Sequence, residues 1–155
     1  MKSNVRFRDG DIFYSKSQTL VNPVNCFGVM GRGIALKFKN KYPEMFQDYV
    51  FKCYSGGVQI GKPYLYKINS IWILNFPTKF HWRDDSKLSY ISDGLEYLYK
   101  NYKFWEISSI ATPALGCGLG GLNWDEVSYL MNCEFEKFDV PVEIYNPVVG
   151  YPPKN

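Results

Sequence analysis

Two glycine-rich loops restrict what this chain can fold into more than any other feature of its sequence. Residues 25–33 and 113–122 each lie between an apolar run typical of a strand and a segment typical of a helix. Glycine lets a backbone approach a ligand closely, and the first turn of a helix offers N–H groups to an anion. One such loop would equally fit a plain strand-to-helix turn. Two at the same end of one sheet predict a cleft that holds a diphosphate from both sides.

The order of the predicted elements favours an α/β domain whose central sheet is covered on both faces. Apolar runs predict strands near residues 5–7, 19–21, 64–68, 71–75, 107–111 and 142–145. Helices are predicted at 34–39, with a break before Pro43, at 44–54, at 86–100, and from Asn123 or Asp125 to about 138. Ligands of such folds bind at the carboxyl ends of the strands, which is where both glycine loops fall.

Composition narrows the class of protein without selecting a function. A chain of 155 residues suits a single domain, and 46% hydrophobic residues argue against disorder. The formal net charge of +3 permits contact with phosphates but does not by itself indicate a nucleic-acid-binding protein. Four cysteines without a CxxC pair, and one histidine, lack the spacing of zinc ligands.

Secretion and membrane insertion are not indicated either. The first residues contain no apolar signal region, and the longest apolar stretch, near 71–76, is far too short to span a bilayer. We therefore expect a cytoplasmic monomer with free thiols, without a metal and without a cofactor.

Common nucleotide-binding motifs are absent from both loops, because no Gly-Lys-Ser/Thr follows and the spacing differs from a Rossmann fingerprint. Four segments together instead resemble the macrodomain family: GDI at 10–12, VNPVN at 21–25, GRGIA at 31–35 and GCGLG at 116–120. The resemblance implies a single three-layer α/β/α macrodomain with a central mixed sheet over residues 1–148. Residues 149–155 would be a C-terminal tail or a truncated linker.

Two further segments, GVMG at 28–31 and NFPTKFHWR at 75–83, resemble the DarG-like branch of this family. Its members are antitoxins that remove ADP-ribose from DNA bases, and they are related to the terminal ADP-ribose protein glycohydrolases. The resemblance implies an ADP-ribosyl glycohydrolase acting on thymidine or guanosine in single-stranded DNA. It also implies a cognate ADP-ribosyltransferase toxin as a partner.

The resemblance assigns the ligand contacts residue by residue. Asp11 would accept a hydrogen bond from the adenine amino group beside the Ile12 backbone, and Tyr145 would lie against the adenine ring. Asn25 would contact the distal ribose and take part in catalysis. The other implied contacts are Gly31, Gly33, Ile34 and Thr78, and around the diphosphate Pro113, Leu115, Gly116, Cys117, Gly118, Leu119 and Gly120.

Lys79 matches the catalytic lysine of the branch, and its surroundings suit that role. It follows a predicted strand and lies among Phe76, Pro77 and Phe80. Apolar neighbours lower the pKa of a lysine and so make its neutral amine available, which can then attack a sugar carbon. His81 and Trp82 follow in the same loop, where they would protonate and stack on the departing base.

Several of these residues also have plain structural explanations. Asp11 would equally cap a turn, Tyr145 would equally belong to the core, and His81 and Trp82 would equally anchor a loop. Cys117 lies at a helix N-terminus, but no His–Cys pairing supports a nucleophile there.

Other functions remain open at this stage. They are cleavage of ADP-ribose from protein, processing of ADP-ribose 1″-phosphate, and ADP-ribose binding without catalysis. Protein-directed relatives carry an aspartate where this chain has Gly120, which favours the DNA-base branch. A pure reader would need the glycine loops but not Lys79.

Overall fold

The computed structural model describes residues 2–147, which form one mixed sheet between two pairs of helices. The strands are β1 (Val5–Arg8), β2 (Thr19–Asn25), β3 (Tyr64–Ile68), β4 (Ile71–Lys79), β5 (Ile110–Thr112) and β6 (Val142–Tyr145). The α-helices are α1 (Gly33–Lys41), α2 (Pro43–Tyr54), α3 (Leu88–Asn101) and α4 (Trp124–Phe135), and a 3-10 turn covers Ile12–Tyr14. The predicted tail at 149–155 lies outside the described residues.

The sheet has the order β1-β6-β5-β2-β4-β3, in which only β3 runs antiparallel to its neighbour. Side chains of α3 and α4 pack on one face, in a cluster with Leu74 and Ile110. Side chains of α1 and α2 pack on the other face, with Leu20 and Ile73. Both faces are therefore covered, as near-continuous apolar strands require, and the predicted three-layer α/β/α fold is confirmed.

Helix boundaries follow local chemistry. Pro43 occupies the first turn of α2, where its missing N–H is not needed, and it ends α1 at Lys41. The Asn123 side chain accepts a hydrogen bond from Glu126 N at 3.1 Å, so Asn123 rather than Asp125 caps α4. That helix ends at Phe135, three residues before the predicted end.

Two central strands are longer than predicted, because each continues through a proline. Pro23 and Pro77 both lie inside strands, although proline cannot donate to a sheet ladder. In the β2–β4 ladder, Pro23 lies opposite Phe76 and Pro77 opposite Val24, and the register shifts directly after them, between Val24 and Asn25. The same irregularity pairs Asn25 with Lys79 across the two strand ends.

The fifth strand starts later than predicted. Residues 107–109 were expected to be extended, but Ile107 N donates to Tyr102 O at 3.0 Å in the turn that follows α3. Glu106 in that turn has a φ of 61°. β5 is consequently confined to Ile110–Thr112.

Candidate active site

Five parallel strands end at one edge of the sheet, and their order sets the order of the predicted site residues. Asp11 follows β1, Tyr145 ends β6, and the loop 113–122 follows β5. Asn25 ends β2 and Lys79 ends β4. The predicted site residues therefore follow one another in a row along this edge of the sheet, which is where α/β folds of this class bind ligands.

At one end of the row, Asp11, Ile12 and Tyr145 lie together. Asp11 is exposed, and its Oδ1 accepts a hydrogen bond from Phe13 N at 2.9 Å, so the turn-capping contact is present. A carboxylate has further acceptor sites beyond that bond. Tyr145 is 9% exposed and packs in one cluster with Ile12. Burial raises the pKa of the Tyr145 phenol, which therefore stays neutral at physiological pH.

We expect Asp11→Ala to weaken ADP-ribose binding about tenfold or more. A lost hydrogen bond to a charged group costs roughly 1.5–3 kcal/mol, against a micromolar affinity of about −8 kcal/mol. Calorimetric titration with ADP-ribose measures the change, and a melting curve of the variant checks its fold. Unchanged affinity in a folded variant would mean that Asp11 does not contact the ligand and only caps the turn through its bond with Phe13 N.

The second glycine loop presents backbone N–H groups at the middle of the row. Gly116 and Gly121 have φ values of 73° and 80°, which favour glycine. Leu122 N donates to Gly116 O and Gly121 N donates to Gly118 O, so the loop folds on itself. Across residues 2–147, the N–H groups of residues 118–120 have no such partner. Successive N–H groups of this kind form an anion-binding concavity.

Gly120 has no room for a side chain. A Cβ at this position would lie 2.5 Å from Gly116 O and 2.5 Å from Ser86 Oγ. The segment before α3 is held against the loop, because Ser86 N donates to Gly120 O at 2.9 Å. Ser86 Oγ is buried and finds no hydrogen-bond partner within residues 2–147. An aspartate at position 120 would therefore require this contact to open.

Cys117 lies in the same loop but is not prepared for nucleophilic chemistry. Burial raises the pKa of its thiol to about 12. The thiolate is the reactive form, so the side chain stays protonated at neutral pH. Its Sγ donates to Leu115 O at 3.5 Å.

Asn25 shapes the first glycine loop with its own side chain. Oδ1 accepts hydrogen bonds from Phe27 N at 2.9 Å and from the Tyr49 hydroxyl at 2.8 Å, and Nδ2 donates to Val29 O at 2.8 Å. The residue is 7% exposed. One Nδ2 hydrogen forms the bond to Val29, and the amide has a second one for a ligand.

The first loop leads directly into α1. Gly33 is the first residue of α1 and has a φ of 59°, and Gly31 beside it is exposed. Arg32 at the N-cap makes no side-chain capping bond. The N–H groups of the first turn, including that of Ile34, are consequently open to an anion.

Lys79 lies beside Asn25 at the far end of the row. The residue is 8% exposed, and its Nζ donates to Trp82 O at 2.9 Å. The backbone of the same strand end is tied to the first loop, because Cys26 N donates to the carbonyls of Lys79 and Phe80. Thr78 is buried, and its Oγ1 donates to Val24 O at 3.4 Å, so its hydroxyl is bonded to the neighbouring strand β2.

His81 and Trp82 stack on each other beyond Lys79, with ring centroids 5.1 Å apart. His81 Nδ1 accepts a hydrogen bond from Arg83 N at 3.1 Å. A neutral imidazole with Nδ1 as acceptor carries its proton on Nε2, which is the atom available as a donor. Sequence reasoning did not select Phe27, whose ring lies 4.5 Å from that of His81, although an aromatic residue inside a glycine loop was a usable signal.

The described part of the chain contains neither a helix long and apolar enough to cross a membrane nor a cluster of three or more residues suited to hold a metal ion.

Comparison with known proteins relates this architecture to one family. The family model "Macro domain" matches residues 21–131. The DNA ADP-ribosyl glycohydrolase of Mycobacterium tuberculosis is 44% identical over 94% of this chain, which spans 43% of that protein.

Two solved structures agree closely. The macrodomain of Mycobacterium tuberculosis DarG has a TM-score of 0.90 at 44% identity, covering 92% of this chain and 97% of that one. Thermosipho africanus DarTG in complex with ADP-ribose has a TM-score of 0.93 at 40% identity, covering 98% of this chain and 44% of that one. With a matching family model over most of its length and the same fold as these relatives, the chain belongs to the macrodomain family.

Proposed function

We propose that this domain is an ADP-ribosyl glycohydrolase that releases ADP-ribose from thymine or guanine bases of single-stranded DNA. The observation that carries the proposal is the buried Lys79 beside Asn25, at the end of a row of anion-binding backbone groups. A domain that only binds ADP-ribose needs the row but not this lysine. The names of similar proteins, DNA ADP-ribosyl glycohydrolases, point to the same activity.

Binding follows from the order of groups along the edge. The adenine lies at Asp11, Ile12 and Tyr145, and the diphosphate lies between the second glycine loop and the start of α1. The distal ribose then reaches Asn25 and Lys79. A solved relative at 40% identity is a complex with ADP-ribose, which supports this ligand.

Lys79 supplies the chemistry at the anomeric carbon of that ribose. Its neutral amine attacks the carbon while the bond to the base nitrogen breaks. The attached nitrogen loses a proton, and the departing base nitrogen gains that proton. Water then attacks the same carbon, its proton passes to the lysine nitrogen as the carbon–nitrogen bond breaks, and the amine and free ADP-ribose are restored.

The packing at Gly120 favours DNA bases over protein side chains as substrates. Protein-directed relatives have an aspartate there, and in this chain its Cβ would collide with Ser86 Oγ and with Gly116 O. The domain thus acts without a carboxylate at that position.

Partners follow from the same chemistry. We propose a cognate ADP-ribosyltransferase as the source of the modified DNA, since a similar protein of Thermosipho africanus is a fusion of both activities. The domain acts as a monomer in the cytoplasm.

The chain spans less than half the length of the curated relatives named here, which contain further sequence.

Release of free ADP-ribose from three substrates tests the proposal. They are single-stranded DNA carrying ADP-ribose on thymine or guanine, protein carrying it on glutamate, and ADP-ribose 1″-phosphate. We expect rapid release from one of the DNA substrates only. Preferred release from protein or from the phosphate would overturn the proposal, and tight ADP-ribose binding without any release would identify a reader.

A further inference from the structure

Exposed and half-buried aromatic rings lie close to the site at Lys79. We call Phe27, Phe80, His81, Trp82 and Tyr90 the aromatic patch. Phe27 is 59% exposed, Phe80 54% and Trp82 39%. Large apolar side chains this exposed and this close together mark an interaction surface.

Three of these rings form a continuous row from two different segments. Phe27 belongs to the first glycine loop, and its ring lies 4.5 Å from His81. His81 in turn stacks on Trp82 at an interplanar angle of 29°. Phe80 lies beside this row and makes an edge contact with Tyr90 at 5.8 Å. The rings are anchored by backbone bonds, since Phe27 N donates to Asn25 Oδ1 and Cys26 N to Phe80 O.

Cations accompany the rings. The Arg83 guanidinium lies 4.5 Å over the Trp82 ring, and Lys87 Nζ lies 5.8 Å from the centre of Tyr90. Arg32 is exposed at the end of the first glycine loop. Asp84 and Asp85 are the opposing charges in the same turn, and Asp84 accepts a hydrogen bond from His81 N at 2.9 Å. Aromatic rings interleaved with cations are the surface by which proteins hold single-stranded nucleic acid, with bases on the rings and phosphates on the cations.

We propose that Phe27, His81 and Trp82 form a stacking platform for the nucleotides that flank the target base in single-stranded DNA. The inference rests on the proposed function, because the platform adjoins the lysine that would act on that base. Arg83 and Lys87 neutralise the phosphates of the same nucleotides. The platform thus favours a modified base within single-stranded DNA over an isolated modified nucleoside as the substrate.

Phe27→Ala is the sharpest test, because the ring is lost while the backbone bond to Asn25 remains. We expect kcat/KM on an ADP-ribosylated oligonucleotide to fall about tenfold, at the lower end of what one stacked base contributes. We expect kcat/KM on an ADP-ribosylated thymidine or guanosine nucleoside, and the affinity for ADP-ribose, to stay unchanged. Phe27→Tyr should restore activity on the oligonucleotide.

Phe104→Ala is the matched control, since Phe104 is 85% exposed and follows α3, outside the row of site residues. It should change none of these values. An equal loss on both substrates would mean that Phe27 shapes the glycine loop and would overturn the platform. An unchanged kcat/KM of Phe27→Ala on the oligonucleotide would overturn the platform as well.

Binding of unmodified oligothymidylate, measured by fluorescence anisotropy, separates the platform from the proposed function. If the protein releases no ADP-ribose from any DNA, the proposed function fails, but weakened binding in Phe27→Ala still supports the platform. Equal binding by wild type and variant would refute it. Self-association of the wild type that Phe27→Ala abolishes, without DNA binding, would assign the patch to a second copy of the chain instead.

Discussion

Lys79→Ala is expected to abolish release of ADP-ribose from DNA while leaving the binding of ADP-ribose nearly intact. The lysine lies outside both glycine loops, so the contacts of the adenine and diphosphate survive its loss. Cleavage needs a nucleophile or a charge beside the anomeric carbon, and removing such a group typically costs at least about 100-fold in rate. Single-turnover assays with modified DNA, paired with calorimetry on ADP-ribose, measure the two effects separately.

Lys79→Arg separates the covalent from the electrostatic role. A guanidinium stays protonated and cannot act as a nucleophilic amine, so we expect this variant to be inactive too. Restored turnover would identify Lys79 as a source of positive charge only. Full activity of the alanine variant would contradict the assignment altogether and would shift the chemistry to Asn25 and a bound water.

Gly118→Val is expected to block ADP-ribose binding without unfolding the domain. Gly118 is not among the glycines with positive φ, unlike Gly116 and Gly121, so the left-handed backbone that disfavours side chains does not oppose a valine there. Its branched side chain would occupy the space of the diphosphate. Losing two hydrogen bonds to a charged group, at roughly 1.5–3 kcal/mol each, weakens affinity at least about 100-fold.

Gly120→Ala provides the contrast for this experiment. Its Cβ collides with backbone at Gly116 O, so we expect this change to distort the loop and to lower the melting temperature. Gly118→Val should melt close to wild type. A folded Gly118→Val protein that binds ADP-ribose normally would show that the loop does not contact the diphosphate.

The fold was predictable because its strands and helices have strong and different apolar periodicities. Runs such as residues 64–68 and 142–145 coincide with the observed strands. Errors occurred where a local signal was overridden by tertiary pairing. The strands predicted at 19–21 and 71–75 stop before Pro23 and Pro77, yet the pairing of β2 with β4 continues through both prolines.

The site was predictable as a set of residues but not as a set of contacts. Sequence order places Asp11, Asn25 and Lys79 after strands, and parallel pairing brings them to one edge. The bond from Tyr49 to Asn25 and the fit of Ser86 against Gly120 depend on helix packing and on the path of residues 80–87. No local sequence pattern around Tyr49 or Ser86 predicts these contacts.

The shifted register between β2 and β4 limits where related domains can gain or lose residues. Asn25 lies opposite Lys79 because β2 and β4 pair residue by residue up to the shift, and the shift then adds one residue to β4. Successive side chains of a strand alternate between its faces, so one inserted or deleted residue before Lys79 would turn the lysine away from Asn25. Insertions after Lys79 leave that pairing untouched. Length variation among related domains should therefore accumulate in the segment 80–87, where it alters what surrounds the substrate and not the reacting pair.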